Sequence, residues 1–354
     1  MRQADGRREG LLRSLTRATI FGCAGAALTE AEAAFFSQAQ PWGFILFGRN
    51  IVWPDQVRDL VDALRETVGR ADAPVLIDQE GGRVARLGPP HWRRYPPARA
   101  FADLARDDTS LACEMAWLGA RLIAHDLHEL GVNVDCAPVL DVPGPGAHDV
   151  IGDRAYGERA ETVALLAGLA AEGLIAGAVA PVIKHIPGHG RAAADSHLHL
   201  PVVTAGLAEL EAVDFAPFTA MADAPMAMTA HVIFTAVDPV RPATVSKPVI
   251  EEIIRGRIGF SGLLMSDDLS MQALSGSLGE RARDALAAGC DVVLHCNGDP
   301  AEMAEVSAAA HELTGAAAAR AAAALARVAG APESFEQGEA RRRFDAAFDQ
   351  RFAL

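Results

Sequence analysis

Ionisable residues stand directly after short apolar runs of the sequence, and these residues could carry chemistry. Asp78 follows one run, Lys184 and His185 close another, and Asp267 closes a third. If the runs are parallel strands of one barrel, their carboxyl ends meet on the face where barrel enzymes place their active sites. The sequence therefore predicts an active site there. Other polar residues at such strand ends are Arg49, Asn50, Glu80, Arg83, Asp135, Asp141, His231, Asp268 and Asn297.

The segment from Lys184 to Pro201 is the densest in such groups and holds four of the eleven histidines. A proline and two glycines early in it predict a loop. A metal site is one interpretation, but the histidines lack the helical HExxH spacing of zinc ligands. A purely structural loop is a second. The third, which we favour, is a mobile catalytic loop in which Asp195 accepts the Nδ1 proton of His197 and raises its basicity. We therefore expect neither a metal nor a cofactor.

Asp267 comes directly after the apolar residues Leu263–Met265 and Ser266. A carboxylate at the mouth of a strand is rigidly held, as a nucleophile must be. The other common role of an aspartate at such a place is to cap the following helix. Asp268 or Ser266 could fill that role beside it.

Eight apolar runs alternate with helical patterns along the chain, which indicates a parallel α/β sheet. Their spread over about 280 residues favours a single (β/α)8 TIM-type barrel. An open doubly wound sheet is the alternative, but no GxGxxG follows the first run. The runs are Ala18–Gly25, Gly43–Phe47, Pro74–Asp78, Val132–Val139, Ala178–His185, Pro225–His231, Gly262–Asp267 and Asp291–Cys296. Helices are expected at Pro54–Val68, Ser110–Leu130, Glu158–Ala176, Leu207–Ala222, Lys247–Ile258, Glu280–Ala288 and, as an outer helix, Ala301–Ala331.

Composition limits the domain organisation and the partners. We expect a charged leader over residues 1–17, one catalytic barrel over 18–331, and a charged tail or surface helix over 332–354. The 354 residues carry a formal net charge of −14, which disfavours nucleic acid and anionic membrane surfaces as partners. Five scattered cysteines without a CxxC pair are typical of free thiols in a reducing compartment. With no apolar run long enough to span a membrane, we expect a cytoplasmic protein.

Four motifs together resemble those of one enzyme family. They are Leu76–Val84 with its Asp-Gln-Glu-Gly-Gly-Arg core, the Lys184–Gly190 run, Asp195-Ser196-His197, and Ser266–Met271. In this order they are similar to the β-N-acetylhexosaminidases of glycoside hydrolase family 3, of the NagZ type that works in peptidoglycan recycling. The resemblance covers residues 19–297. Ile151–Gly157 adds a match to the family's G-x-R-[AS]-[FY] stretch.

The resemblance implies a hydrolase that removes non-reducing terminal β-linked N-acetylglucosamine from muropeptides with retention of configuration. Asp267 matches the family nucleophile. His197, paired with Asp195, matches the acid/base. The residues that match those holding the sugar hydroxyls are Asp78, Arg83, Arg154, Lys184 and His185. The implied partner is a small sugar or muropeptide substrate.

Three alternatives remain open at this point. The substrate's own 2-acetamido group could act as the nucleophile, polarised by Asp267 and Asp268. A phosphorylase is conceivable, because a neutral histidine would not repel phosphate as a carboxylate does. A catalytically inactive sugar-binding protein is the third. The aglycone and the oligomeric state are not specified by these residues.

Overall fold

Eight parallel strands close into a barrel within the described part of the chain. The computed structural model describes residues 16–144, 146, 148–192, 196 and 199–348. The barrel strands are β1 (Arg17–Gly22), β2 (Pro41–Leu46), β3 (Val75–Ile77), β4 (Val134–Asp135), β5 (Ala180–Ile186), β7 (Met226–Thr229), β9 (Leu263–Asp268) and β10 (Val292–His295). Each pairs with the next in that order and β10 pairs with β1, so the predicted (β/α)8 barrel is confirmed. Two short strands outside it, β6 (Val202–Val203) and β8 (Ile233–Phe234), pair with each other.

Helices surround the barrel, and four of them, Pro54–Val68, Thr109–His128, Ala160–Ala176 and Leu278–Ala288, lie within two residues of the bounds expected from the sequence. The helices Glu30–Ala39 and Ala98–Asp107 were not expected. In chain order the helices are α1 (Glu30–Ala39), α2 (Pro54–Val68), α3 (Ala98–Asp107), α4 (Thr109–His128), α5 (Ala160–Ala176), α6 (Leu207–Ala212), α7 (Ala216–Ala220), α8 (Leu278–Ala288), α9 (Pro300–Ala309), α10 (Gly315–Ala326) and α11 (Gln337–Ala347). A π-helix, Val249–Arg257, lies between α7 and α8. None of the described helices is long and apolar enough to cross a membrane.

The strands are buried on both faces, which explains why their sequences are continuous apolar runs. All six residues of β2 and all seven of β5 are buried. Helix α2 instead buries a single stripe at positions 57, 60, 61, 64 and 68, the spacing of one helical face. It ends at Gly69, whose φ of 61° suits the left-handed cap.

Two expected helices are each divided into two. The pattern over 207–222 becomes α6 and α7, because Val213–Phe215 leave the helix and Asp214 turns its carboxylate to Arg191. The alanine-rich stretch over 301–331 becomes α9 and α10, separated by residues 310–314. At that break the carbonyl of His311 accepts the backbone N–H of Ala18 in β1, so pairing with the barrel competes with helix formation.

Helix α11 packs on the outside of the barrel rather than extending from it. Phe344 is fully buried and contacts Gly119 of α4, where a Cβ atom would lie 2.7 Å from its ring. The rings of Tyr95 and Phe101 lie beside Phe344. The small residue in α4 therefore allows the helix to approach closely.

Candidate active site

A cavity opens at the carboxyl ends of the barrel strands. It is lined by residues from or directly after β2, β3, β5, β7, β9 and β10, and by the segment that precedes α5. Its lining includes Phe47, Asp78, Arg86, Arg154, Lys184, His185, His189, Ser196, Asp267 and Asp268. The polar residues predicted at the strand ends therefore meet at the carboxyl face of the barrel.

A buried network of alternating charges forms one wall of the cavity. Lys184 Nζ donates to Asp78 Oδ1 at 2.8 Å and lies 2.7 Å from Glu80 Oε1. Arg154 holds Glu80 through two parallel hydrogen bonds of 2.8 Å. Arg86 Nη2 donates to Asp78 Oδ2 at 2.9 Å. Three cations thus surround two carboxylates, which compensates for the cost of burying each charge.

The network keeps its members ionised. Burial alone would raise the pKa of Asp78, but Lys184 and Arg86 outweigh it and hold that pKa well below its ordinary value. Burial likewise opposes ionisation of Glu80, yet Lys184 and Arg154 lower its pKa to about 2. Burial would lower the pKa of Lys184, whereas Asp78 and Glu80 raise it above its ordinary value. The wall therefore presents fixed charges to a ligand at neutral pH.

Asp135 lies behind this wall, and unlike Asp78 and Glu80 it has no cation in the described part of the chain that holds it in its ionised form. Its Oδ1 accepts the backbone N–H of Gln79 at 2.9 Å, and its buried Oδ2 has no hydrogen-bond partner within the described residues. Burial raises the pKa of Asp135 to about 7. The carboxyl group thus exchanges its proton near neutral pH without facing the main cavity.

Asp141 joins two histidines at the end of β5. Its Oδ2 lies 2.7 Å from His185 Nδ1, and its Oδ1 accepts the backbone N–H of His189 at 2.6 Å. His189 Nε2 lies 3.1 Å from Ser196 Oγ. Burial, and then the neighbouring His185, lower the pKa of His189 to about 4. His189 is therefore neutral at working pH and links the end of β5 to the middle residue of the Asp-Ser-His motif.

The Asp267–Asp268 pair ends strand β9 on the opposite side of the cavity. The backbone N–H of Asp268 donates to Asp267 Oδ1 at 2.8 Å. The Asp268 carboxylate accepts from the backbone and hydroxyl of Ser270 and from the backbone N–H of Cys296. Asp268 thus holds the backbone at the strand end. The expected capping of the following helix by Asp268 or Ser266 was wrong, because that helix begins at Leu278 and is capped by Ser277. Asp267 lines the cavity.

The structure brings together five of the eight predicted site residues: Asp78, Arg154, Lys184, His185 and Asp267 all line the cavity. Arg83 does not. Its half-exposed guanidinium donates to Asp153 at 2.8 Å and to the carbonyls of Asp149 and Val150. Asp195 and His197 lie outside the described residues, so their predicted roles stay predictions.

Arg86 is a charged residue of the cavity that the sequence did not predict. Gly81 and Gly82, with φ of 95° and 57°, turn the chain after β3, and the Gln79 side chain accepts the backbone N–H of Arg86. This turn directs Arg83 outward and Arg86 inward. The adjacent Gly81 and Gly82 are the available signal in the sequence, since two consecutive glycines indicate a turn.

The described residues contain no cluster of histidine, cysteine, aspartate or glutamate arranged to hold a metal ion. What the cavity offers is a carboxylate on one side and charged hydrogen-bonding groups on the other. Such an arrangement suits a polar ligand rich in hydroxyl groups. Fold and site together define a barrel enzyme of the glycosidase class.

Comparison with known proteins supports this class and narrows it. The family model for the glycosyl hydrolase family 3 N terminal domain matches residues 16–331. The beta-hexosaminidase of Alkalilimnicola ehrlichii is 41% identical over 285 residues, 78% of this chain and 80% of the relative. That of Methylococcus capsulatus is 40% identical over 283 residues, 78% of this chain and 82% of the relative.

A solved structure agrees with these relatives. NagZ from Neisseria gonorrhoeae, in complex with N-trifluoroacetyl-D-glucosamine, superimposes with a TM-score of 0.84 at 31% identity and covers 94% of this chain and 98% of its own. The chain therefore belongs to glycoside hydrolase family 3 and is a β-N-acetylhexosaminidase of that family, as the resemblance predicted.

Proposed function

We propose that this enzyme removes non-reducing terminal β-linked N-acetylglucosamine from muropeptides during cell-wall recycling in the cytoplasm. The barrel, residues 18–331, is the catalytic unit, with 1–17 as a leader and 332–354 as a C-terminal segment. The five cysteines are all free thiols, which suits a reducing compartment. The observation that carries the proposal is that Asp267 and the Asp78–Lys184 pair line one cavity.

The charged wall binds the sugar hydroxyls. Asp78 stays ionised and accepts hydrogen bonds from hydroxyl groups, while Lys184 and Arg154 donate to hydroxyl oxygens. His185 Nδ1 donates a hydrogen bond to the Asp141 carboxylate at 2.7 Å, so in the neutral ring Nε2 is an acceptor. Arg86 joins this set because it holds the second oxygen of Asp78. Arg83 lies outside the cavity and, through its bonds to residues 149, 150 and 153, holds the segment that carries Arg154.

Asp267 is the nucleophile of a retaining mechanism. One of its carboxylate oxygens attacks the anomeric carbon and the glycosidic C–O bond breaks, so that a covalent glycosyl-enzyme forms. Water then attacks the same carbon and releases Asp267. The N–H of Asp268 orients the carboxylate, because it holds Oδ1 at 2.8 Å.

His197 supplies the proton in the first step and removes one from water in the second. With an ordinary pKa near 6.5, imidazole exchanges protons in both directions near neutral pH. Asp195 stabilises the charged ring, as the carboxylate does in other His–Asp pairs. Glu80 is the other acidic residue close to the wall, but Arg154 and Lys184 hold its pKa at about 2, which makes it a poor proton donor.

The test of this function compares two leaving groups in the His197→Ala variant. A dinitrophenolate leaves without a proton, whereas a sugar alkoxide does not. We expect the variant to lose far more activity on a disaccharide than in glycosylation by a dinitrophenyl glycoside. With the activated substrate, deglycosylation should become rate-limiting.

Asp195→Ala is the matched control, and it should show the same pattern in milder form because the histidine remains. The measurement is the ratio of each variant's losses on the two substrates. Equal losses on both substrates would make His197 a binding or loop residue and would remove it from the acid/base role.

A further inference from the structure

His231 connects the end of β7 to the backbone of β9, where the proposed nucleophile stands. The side chain is fully buried. Its Nε2 lies 3.0 Å from the carbonyl oxygen of Asp268, and its Nδ1 lies 2.7 Å from Thr244 Oγ1. Both ring nitrogens therefore have a partner at hydrogen-bond distance, and each partner belongs to a different element.

The partners determine where the protons sit. A carbonyl oxygen only accepts, so Nε2 carries the hydrogen that points at Asp268. Burial lowers the pKa of His231, which keeps the ring neutral. Nδ1 therefore accepts from the Thr244 hydroxyl, for which it is a nearer acceptor at 2.7 Å than the Ala230 carbonyl at 3.2 Å. Thr244 Oγ1 in turn lies 2.8 Å from Thr229 Oγ1. Because the proton of Thr244 is directed at His231, Thr229 is the donor of this pair. A series of hydrogen bonds thus runs from Thr229 in β7 through Thr244 and His231 to Asp268 in β9.

This series of hydrogen bonds ends at the peptide groups of Asp268, which orient the nucleophile. The N–H of Asp268 donates to Asp267 Oδ1 at 2.8 Å, and the carbonyl of the same residue accepts from His231 at 3.0 Å. The Asp268 side chain is held by Ser270. Residue 268 is therefore held through its carboxylate by Ser270 and by the backbone N–H of Cys296, and through its carbonyl by His231.

We propose that His231, in its neutral form with the proton on Nε2, is a positioning residue that fixes the Asp267 carboxylate for attack by holding the carbonyl of Asp268. The proposal rests on the assignment of Asp267 as nucleophile. His231 touches neither the substrate nor the reacting atoms. Its effect is confined to the geometry of attack, so it differs from that of the acid/base, which depends on the leaving group.

Two amide substitutions separate the contacts of the ring. In His231→Gln the Nε2 amide reaches the position of the ring Nε2 and can donate to Asp268. In His231→Asn the shorter side chain reaches only the Nδ1 position, so the bond to Asp268 is lost. Both variants are neutral and polar, which makes each the control for the other.

The measurement is the rate of covalent inactivation by a slow 5-fluoro-glycosyl fluoride, followed by intact-protein mass spectrometry. A misplacement of about 1 Å at the reacting atoms costs about 100-fold in rate. We expect the maximal inactivation rate to fall about 100-fold in His231→Asn and less than about fivefold in His231→Gln. The inhibitor concentration for half-maximal rate should change less than about twofold in both variants. Thr244→Val should lose an intermediate amount, about tenfold, and Thr244→Ser should recover it.

Equal losses in the Gln and Asn variants, or a loss confined to inhibitor affinity, would overturn the proposal. If His231→Asn fails to fold, the Thr244→Val and Thr244→Ser pair decides the question, and equal rates in these two variants would overturn it. A label on a residue other than Asp267 in the wild-type enzyme would instead refute the nucleophile assignment. The two failures are therefore distinguishable in one assay.

Discussion

Arg86 and Arg83 form a matched pair that tests which guanidinium serves the sugar site. They stand three residues apart after β3. Arg86 Nη2 donates to Asp78 Oδ2 at 2.9 Å and lines the cavity. The side chain of Arg83 is 46% exposed and is paired with Asp153. Replacement of each by methionine removes the charge and the donors but keeps a flexible side chain of similar length.

The expected losses differ because the two ion pairs differ in burial. A hydrogen bond to a charged group contributes about 1.5–3 kcal/mol, and this range corresponds to a loss of about 10- to 150-fold in kcat/KM for Arg86→Met. Activity is not abolished, because Lys184 still donates to the other oxygen of Asp78 at 2.8 Å. The Arg83–Asp153 ion pair is exposed and contributes about 0–1 kcal/mol. The bonds from Arg83 to the Asp149 and Val150 carbonyls are exposed as well, so Arg83→Met should lose less than about fivefold.

The assay is kcat/KM on an aryl β-N-acetylglucosaminide, with thermal unfolding of both variants as the control for folding. The reasoning predicts a large loss for Arg86→Met and a small one for Arg83→Met at similar stability. A loss in Arg83→Met equal to or greater than that in Arg86→Met would refute it. The arginine expected from the family motif would then be the one that contacts the sugar.

Two further predictions concern Asp135 and Asp267. Burial raises the pKa of Asp135 to about 7, above its ordinary value of 3.8, so the folded state binds this proton more tightly than the unfolded state and loses stability as the pH rises between those values. Asp135→Asn should therefore become more stable relative to the wild type as the pH rises. Between pH 5 and pH 8 the difference in free energy of unfolding, measured by urea denaturation, should grow by about 1–4 kcal/mol. A difference that does not change with pH would contradict this. Asp267→Asn should lower kcat by at least about 10³-fold while changing the melting temperature by only a few degrees, and a much smaller loss would contradict a direct role of Asp267 in the reaction.

The barrel could be predicted from the sequence because its signal is repeated and periodic. Each of the eight apolar runs reappears as a strand buried on both faces. Helix α2 begins and ends at the predicted residues, with Pro54 at its start and Gly69 at its cap. Helix α1 was not predicted, but its start could have been, because Thr29 and Glu32 form a capping box that can be read from the sequence.

The orientation of side chains in loops could not be predicted in this way. Whether Arg83 or Arg86 faces the cavity depends on the turn at Gly81 and Gly82. No periodic sequence pattern predicts in which direction the side chains after such a turn will point. The same holds for Glu80. It follows Asp78 by two residues, yet its role as the shared anion of Lys184 and Arg154 arises only when β3, β5 and the segment before α5 meet. Contacts between distant parts of the chain, rather than local pattern, create this part of the site.

The measurement that tests the mechanism most directly is the identification of the residue labelled by a slow 5-fluoro-glycosyl fluoride. The wild-type enzyme should gain the mass of one glycosyl group, and peptide mass spectrometry should place it on Asp267. Asp267→Asn should remain unlabelled under the same conditions. A label on Asp268, or turnover of the substrate without any label on the protein, would contradict a covalent mechanism through Asp267.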